Sequence, residues 1–523
     1  MTHYFLPLQI KIEHMKKLFL LFIGILSLSA INAQDLSDAL RYSQDEIQGS
    51  ARFRALSGAF GALGGDMSAV NINPAGSAIF TQSHASFSLS NVDVSNNTQY
   101  FGGLTSTNDS NFDINQGGAA FVFASRDNSP WRKFTLGIAY DRTNNFDNVW
   151  NAVGTNTNNQ SIDFYFLDYA DGLRLDEVSA LPNESYGMAY EEIGNLFGYA
   201  HQQAFLGYES RIINADDESD PSNTTYFSSL GNGAFAHDYL YASTGYNGKI
   251  AFNLAAQYMD NLYLGLNLNT HFIDYQRSTN LQETNTNAGS SVNFVEFENN
   301  LSTRGSGFSF QLGGILKLSP EFRVGLTYDS PTWYTIEEET TQYIYTESDF
   351  GYENSGNFEF IEIDPLVVNV YPSYRLQTPA KFTGSLAYVF DRQGLISFDY
   401  STKDYSKTQF KPNDEFNGLN ADISDLLTSA ATYRLGGEYK VKQFSFRGGY
   451  RFEESPYKDG VTVGDLNGYS LGLGYSFGNT KLDLTYDRSE RSFETPLYNV
   501  GLTDSASIDQ TNSNVTLSLS FNI

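Results

Sequence analysis

The chain has 523 residues, 41% hydrophobic and 18% charged, with 60 acidic against 32 basic side chains and a formal net charge of −28. That balance argues against a nucleic-acid partner, which needs a Lys/Arg footprint. The absence of cysteine excludes a disulfide scaffold, thiolate metal sites and thiol chemistry. Forty Phe, 35 Tyr and 45 Gly are too aromatic a mixture for a disordered acidic chain and point to extensive exposed β structure.

In chain order, the first element is an export signal. Met15-Lys16-Lys17 precedes an apolar run from Leu18 to Leu26, and small residues follow up to Ala33. This is a basic n-region, an h-region and a cleavage edge; the run falls short of the ~20 residues a spanning helix needs. Residues 1–33 are therefore expected to be a cleaved signal with its true start at Met15. The mature chain from Gln34 contains no later apolar run long enough for a transmembrane helix.

Residues 34–82 do not alternate. They contain Arg52-Phe53-Arg54, a Gly/Ala-rich run from Gly58 to Asp66, and the turn Asn73-Pro74-Ala75-Gly76, where Pro fixes φ and its Asn and Gly neighbours suit turn positions. The glycines lack the Gly-Lys-Ser/Thr of a Walker loop and follow no strand. A compact segment of this length is expected to fold as a plug inside whatever follows.

From residue 83 the hydrophobic period is two. Phe134, Leu136, Ile138 and Tyr140 alternate with Thr135, Gly137, Ala139 and Asp141; Val515, Leu517, Leu519, Phe521 and Ile523 alternate with polar partners. Candidate strands lie near 83–92, 117–125, 134–146, 249–259, 261–276, 305–318, 322–330, 380–390, 394–404, 431–440, 442–453, 468–477, 480–490 and 512–523. The number is even. Links after even-numbered strands are short and links after odd-numbered ones long and polar, the pattern of an outer-membrane barrel. The expected fold is all-β: a 14-stranded antiparallel transmembrane β-barrel with an N-terminal hatch in the lumen, both mature termini periplasmic, and tyrosines such as Tyr140, Tyr258 and Tyr450 in an interfacial girdle. A soluble β-sandwich also alternates but does not need the long/short asymmetry.

Two long extracellular loops are expected, 147–248 and 330–378. The first holds fifteen acidic and two basic residues, the second nine and one, together −21 of the net charge. They are most simply solvated surface; calcium is conceivable there, but no EF-hand spacing is present and no metal site is assigned. In the first loop Ile193, Leu196, Phe197 and Ala200 recur at helical spacing and are candidates for an apolar groove that collects a hydrophobic molecule. Wall charges Arg323, Arg434, Arg447, Arg451, Asp399 and Asp483 fall on the polar phase of their strands, and Arg52, Arg54 and Asp66 of the hatch are their expected partners.

Enzyme chemistry is not expected. Gly468-Tyr469-Ser470-Leu471-Gly472 matches a nucleophile elbow, but lies inside an alternating strand rather than at a strand-to-helix turn. His201 and His237, in the long loop, are conceivable heme ligands, though a lone histidine is more often ordinary surface; no cofactor is assigned.

Ser50-Ala51-Arg52-Phe53-Arg54-Ala55-Leu56, the Gly58–Asp66 run and Asn73-Pro74-Ala75-Gly76 resemble the start of long-chain fatty-acid transporters of the FadL, OmpP1 and TodX type. Thr378-Pro379-Ala380-Lys381-Phe382 and the Asp399-Tyr400 … Asp404-Tyr405-Ser406 stretch are similar to a Bacteroidetes subset often labelled hemin receptors. The resemblance implies a Gram-negative outer-membrane transporter for fatty acids or other hydrophobic molecules, monomeric, inserted by the barrel assembly machinery and surrounded by outer-membrane lipid. It also implies loop capture, a lumen pocket and lateral exit through the wall at strand three, with Asn73, Pro74 and Ala75 near the gap. That strand, 134–146, begins as clean alternation and ends in Arg142-Thr143-Asn144-Asn145, polar on both phases, and Gly137, which lacks a side chain to fill the wall, is its expected weak point. A surface adhesin and a hemin-binding receptor are the alternatives.

Overall fold

The computed structural model describes residues 35–125, 129–348, 359–391 and 393–523. The expected signal segment, 1–33, lies outside the described residues. Fourteen antiparallel strands close on themselves: β1 His84–Tyr100, β2 Gly103–Ala124, β3 Trp131–Asn145, β4 Phe235–Tyr258, β5 Leu262–Thr284, β6 Val292–Lys317, β7 Phe322–Asp329, β8 Lys381–Phe390, β9 Gly394–Asp404, β10 Ser429–Val441, β11 Phe444–Glu453, β12 Leu466–Ser476, β13 Thr480–Pro496 and β14 Ser505–Asn522. Each pairs with its sequence neighbour, and β14 returns to β1, where Asn522 faces His84. Closure pairs every strand on both sides, as lipid requires, with a lapse where the β2–β3 ladder ends at Gln116 and Asp141. The outward phase is apolar and exposed (Phe134, Leu136, Ile138; Leu471, Leu473; Leu517, Leu519), while Thr135, Ser470 and Thr516 face a filled lumen. No helix among the described residues is long and apolar enough to cross a membrane.

The strands reach far beyond the expected segments. β4, β5 and β6 hold 24, 23 and 26 residues, whereas a band ~25 Å tall crossed at ~40° uses about ten. The segment 93–116, expected as a loop, is the upper part of the β1–β2 hairpin, which turns at Phe101-Gly102. Here polar residues predominate on both faces, with Leu104, Phe112 and Ile114 as scattered apolar exceptions, so no sustained hydrophobic period marks the strand, and cross-strand bonds such as Ser95 Oγ to Asn108 (2.7 Å) help hold it. Likewise 147–248 and the described parts of 330–378 are built into the barrel and its cap. Asn148–Asn156 continues β3 along β4, and Trp333–Ser348 pairs with β6.

Three helices cap the outer mouth: Asp163–Ala170, Tyr186–Phe197 and Tyr199–Glu209, the last two joined at Gly198 (φ 89°). Tyr165, Phe166, Tyr190 and Phe205 pack on Leu281, Phe297, Ile344 and Ile508 of the strand extensions. The hatch runs the other way from expectation at its start. Asp35 lies beside Asn499 near the outer mouth (3.3 Å), and the chain descends through helices Leu36–Arg41 and Ala51–Ala55 to the 3-10 turn Pro74–Ile79 before entering β1.

Candidate functional site

The hatch and the wall fit through small residues. A Cβ on lumen-facing Gly265, Gly313, Gly325, Gly436, Gly449 or Gly472 would collide with hatch atoms of Asn73, Pro74, Gly61, Leu56, Ser57 or Ala55. These glycines allow backbone to approach backbone. Buried polar groups tie the contact: Asp399 accepts from the amides of Phe60 and Gly61 (both 2.9 Å), and Arg323 donates to the Leu63 carbonyl (3.1 Å).

Two of the three candidate hatch charges meet wall charges, on Glu438 and Asp487 rather than directly on the six expected wall residues. Arg52 pairs with Glu438 of β10 (3.0 Å), which also holds Arg447 (2.6 Å), which in turn reaches Asp483 (2.6 Å). Arg54 pairs with Asp487 of β13 (2.7 Å). Asp66 does not reach the wall: it accepts from Ser50 Oγ (2.8 Å) and the Ser68 amide (2.9 Å), fastening the hatch to itself.

The turn at residues 73–76 does not lie chiefly against strand three. The Asn73 side chain caps the 3-10 turn by accepting from the Ala75 amide (3.1 Å) and donates to the carbonyls of Gly61 (2.8 Å) and Gly314 (3.1 Å). Asn253 of β4 donates to the Pro74 carbonyl (2.9 Å). Ala75 packs with Ala255, Tyr263 and Ile315, and Gly76 gives its carbonyl to the Gly65 amide (3.0 Å). The turn is thus seated on β4, β5 and β6. Gly137 is no opening either. It is paired to Ala120 on one side and Asn253 on the other within continuous ladders.

The wall is irregular one turn of sequence further on. The β2–β3 ladder stops at Gln116 and Asp141. A bulge in β1–β2 at Ser88/Leu89 leaves Asn115 without a strand partner, and β3 shifts register against β4 between Arg142 and Asn144. Hatch residues fill the place of the missing ladder. The Glu46 amide donates to the Thr143 carbonyl (2.9 Å), the Asn145 amide to the Glu46 carboxylate (3.3 Å), and Asn115 Nδ2 to the Gly49 carbonyl (2.8 Å). Arg142 and Asp113 form an ion pair across the seam. The signal for this was Arg142-Thr143-Asn144-Asn145, polar on both phases of an otherwise clean strand.

Behind the seam lie two adjoining chambers of about 200 and 270 Å³, sharing Glu46, Asn148, Arg451, Ser489, Gln510 and Asn512. The larger is lined by five cations, Lys381, Lys403, Arg434, Arg451 and Arg491, against five carboxylates, Asp45, Glu46, Glu453, Glu454 and Glu490. Asp45 sits between Lys381 (3.3 Å) and Lys403 (3.6 Å). Arg434, more than nine-tenths buried, has a partnerless Nε and forms no ion pair among the described residues.

The loop candidates do not assemble into a groove. Ile193 is buried in the cap core, Phe197 stacks on His201 (4.9 Å), and Leu196 and Ala200 face solvent. The helix is amphipathic, and its apolar side is consumed by the cap itself. His237 is enclosed with Nε2 2.8 Å from Glu283 and Nδ1 3.0 Å from the Tyr100 hydroxyl. His201 lies 3.6 Å from Glu177; burial holds its imidazole below the usual range, with Glu177 opposing. No cluster of three metal-binding side chains forms among the described residues.

A family profile described as "Outer membrane protein transport protein (OMPP1/FadL/TodX)" matches residues 223–521. Among solved structures, a Pseudomonas aeruginosa FadL homologue aligns with 92% of this chain and 99% of its own at 14% identity and a TM-score of 0.52, a likeness of fold. The P. putida toluene transporter TodX gives 12% identity, 92% and 99% coverage and a TM-score of 0.48. The CymD monoaromatic hydrocarbon channel gives 11%, 92%, 99% and 0.49. No curated protein matches the sequence.

Proposed function

The chain belongs to the outer membrane protein transport family (OMPP1/FadL/TodX), a hydrophobic-compound transport channel of the Gram-negative outer membrane rather than an enzyme, and from that premise we propose that its cargo is an amphiphile of the fatty-acid type that leaves sideways through the β2–β3 seam. The seam carries this reading. It is the place where a ladder lapses at the level of a lumen chamber and hatch backbone stands in for strand. Displacing residues 46–49 removes a few hydrogen bonds, each worth about 1 kcal/mol net, without unpairing either strand from its other neighbour. The chamber supports a charged head over a bare hydrocarbon. Arg434, buried with an Nε that has no hydrogen-bond partner, offers a donor to a carboxylate.

The readings of this chain as a hemin receptor of a Bacteroidetes subset or as a surface adhesin have less support. Both nitrogens of His237 are occupied, and the acidic loops fold back on the barrel rather than standing free. Loop deletion separates adhesion from transport.

The chain has no cysteine, so a Glu46→Cys, Asn144→Cys pair tests the route. Oxidation should cut uptake of a long-chain fatty acid and reductant should restore it. Full uptake with the bond demonstrably formed would end the seam proposal.

A further inference from the structure

On the outer face of the barrel, just above lipid, lies a trough of about 520 Å³. Its floor is a single row in register across four strands: Ser243 pairs with Arg277, Arg277 with Leu301, and Leu301 with Thr340. Because side chains alternate across a sheet, the residues on either side of that row point outward and form the rims. Thr244, Gln276 and Ser302 form the lower rim; Ser278, Asn300 and Thr341 form the upper; Val368 overhangs one end. The polar side-chain groups of Gln276, Ser278 and Ser302 bond no other described residue, while Asn300 Nδ2 donates to Thr341 (3.3 Å) and stiffens the upper rim.

The height of the trough follows from the strands. Outward residues carry no charge up to Phe272 on β5 and Phe308 on β6, and except for Thr270 they lack polar side chains. The next charged row, exposed Asp274, Arg304 and Glu337, is paired in register and marks the exit from lipid, where a charge becomes tolerable. The floor row lies three residues further, about 10 Å along the strands at ~3.3 Å per residue. That is headgroup height. The lining is hydroxyl, amide and carbon, with Glu339 its one exposed charge. Such a surface matches a polyol, whose ring faces are C–H and whose edges are O–H, better than it matches a phosphate or a cation.

We propose that this trough holds the sugar headgroup of an outer-leaflet glycolipid. Tethering by acyl chains places the sugar at that height at high effective concentration, so a shallow site suffices.

The test uses full-length protein from outer membranes in nanodiscs, with deep-rough lipopolysaccharide as probe. Ser302→Trp and the double variant Ser278→Trp, Ser302→Trp fill the trough from outward positions. Heat-modifiable migration checks that the barrel is intact, and fatty-acid uptake, expected to be unchanged, is read in parallel. Wild type should retain the lipid through extraction, and the variants should bind it at least about tenfold more weakly, a loss of ~1.4 kcal/mol. Equal binding by intact wild-type and variant barrels overturns the site. Equal competition by phosphatidylethanolamine overturns the sugar specificity. Binding of the deacylated core oligosaccharide as tight as that of the whole lipid overturns the membrane source in favour of free glycan. None of these outcomes depends on whether cargo leaves through the seam.

Discussion

The barrel is closed at its two ends by opposite chemistry. Above, the cap seals the mouth with an apolar core in which Phe166, Tyr190 and Phe205 pack on Phe297 and Ile344. Below, the hatch adds to small apolar clusters around Leu56, Phe60 and Ala75 a set of ion pairs, amide–carboxylate bonds and glycine contacts, with Arg52, Glu438, Arg447 and Asp483 forming one chain of charge. Apolar contacts have no partner to exchange, so the cap opens only by exposing its core. Polar contacts can be taken over by water one at a time. A plug that must shift without unfolding its barrel is better held by the second kind, and the seam at Glu46 is where those contacts meet the wall.

The sharpest way to break this contrast is to damage each end in turn. Phe166→Ala should cost the cap about 3–5 kcal/mol, as large-to-small core changes do, and raise hydrogen exchange over 163–209 while leaving 51–80 protected. Glu438→Ala leaves Arg52 and Arg447 without their shared buried partner. A similar cost of about 3–5 kcal/mol is expected, read as proteolysis or exchange of the hatch with the cap unaffected. If each variant loosens both ends equally, the two closures are one cooperative unit and the comparison fails.

A smaller change tests the glycine seat. Gly325→Val places a branched side chain against the Gly61 carbonyl. Overpacking of this kind costs about 1–3 kcal/mol and should unseat residues 58–66 with heat-modifiability retained. An unchanged hatch exchange rate would mean that the fit there is loose.

The smallest effect concerns pH at the cap. Burial raises the pKa of Asp163, with a hydrogen bond from Ser228 opposing. A carboxyl whose folded pKa exceeds its unfolded one binds the extra proton in the folded state, so stability falls as pH rises from the unfolded value of 3.8 through the raised one. Exchange of 164–170, corrected for its intrinsic rate, should therefore slow as pH drops from 7 toward 3.8. Asp163→Asn should flatten that dependence; a slope of the other sign would contradict it.

The membrane band was legible because lipid imposes a two-residue period. Leu471 and Leu517 have to face out and Ser470 and Thr516 in, so all fourteen strands could be located from alternation alone. Above the band both faces meet water or protein, the period vanishes, and 93–116 reads as loop although it is strand. Arg142-Thr143-Asn144-Asn145, polar on both phases, marks where the β2–β3 ladder lapses, whereas Gly137 sits five residues lower within continuous ladders; a missing side chain in a wall resembles a gap until its ladders are seen.

What the sequence determined by itself was the barrel and its strand number, consequences of local period and of the alternation of short and long links. What only the tertiary structure decided was which surface each lumen residue meets. Asn73 and Pro74 on β4–β6, Asp66 turned to Ser50, Ile193 spent in the cap and Glu46 standing in for β2 are contacts between segments tens to hundreds of residues apart. No local pattern encodes them, because in a closed barrel the inward phase is the same run of Gly, Ser, Thr and charge on every strand, and its partner is chosen by register and by the path of the hatch.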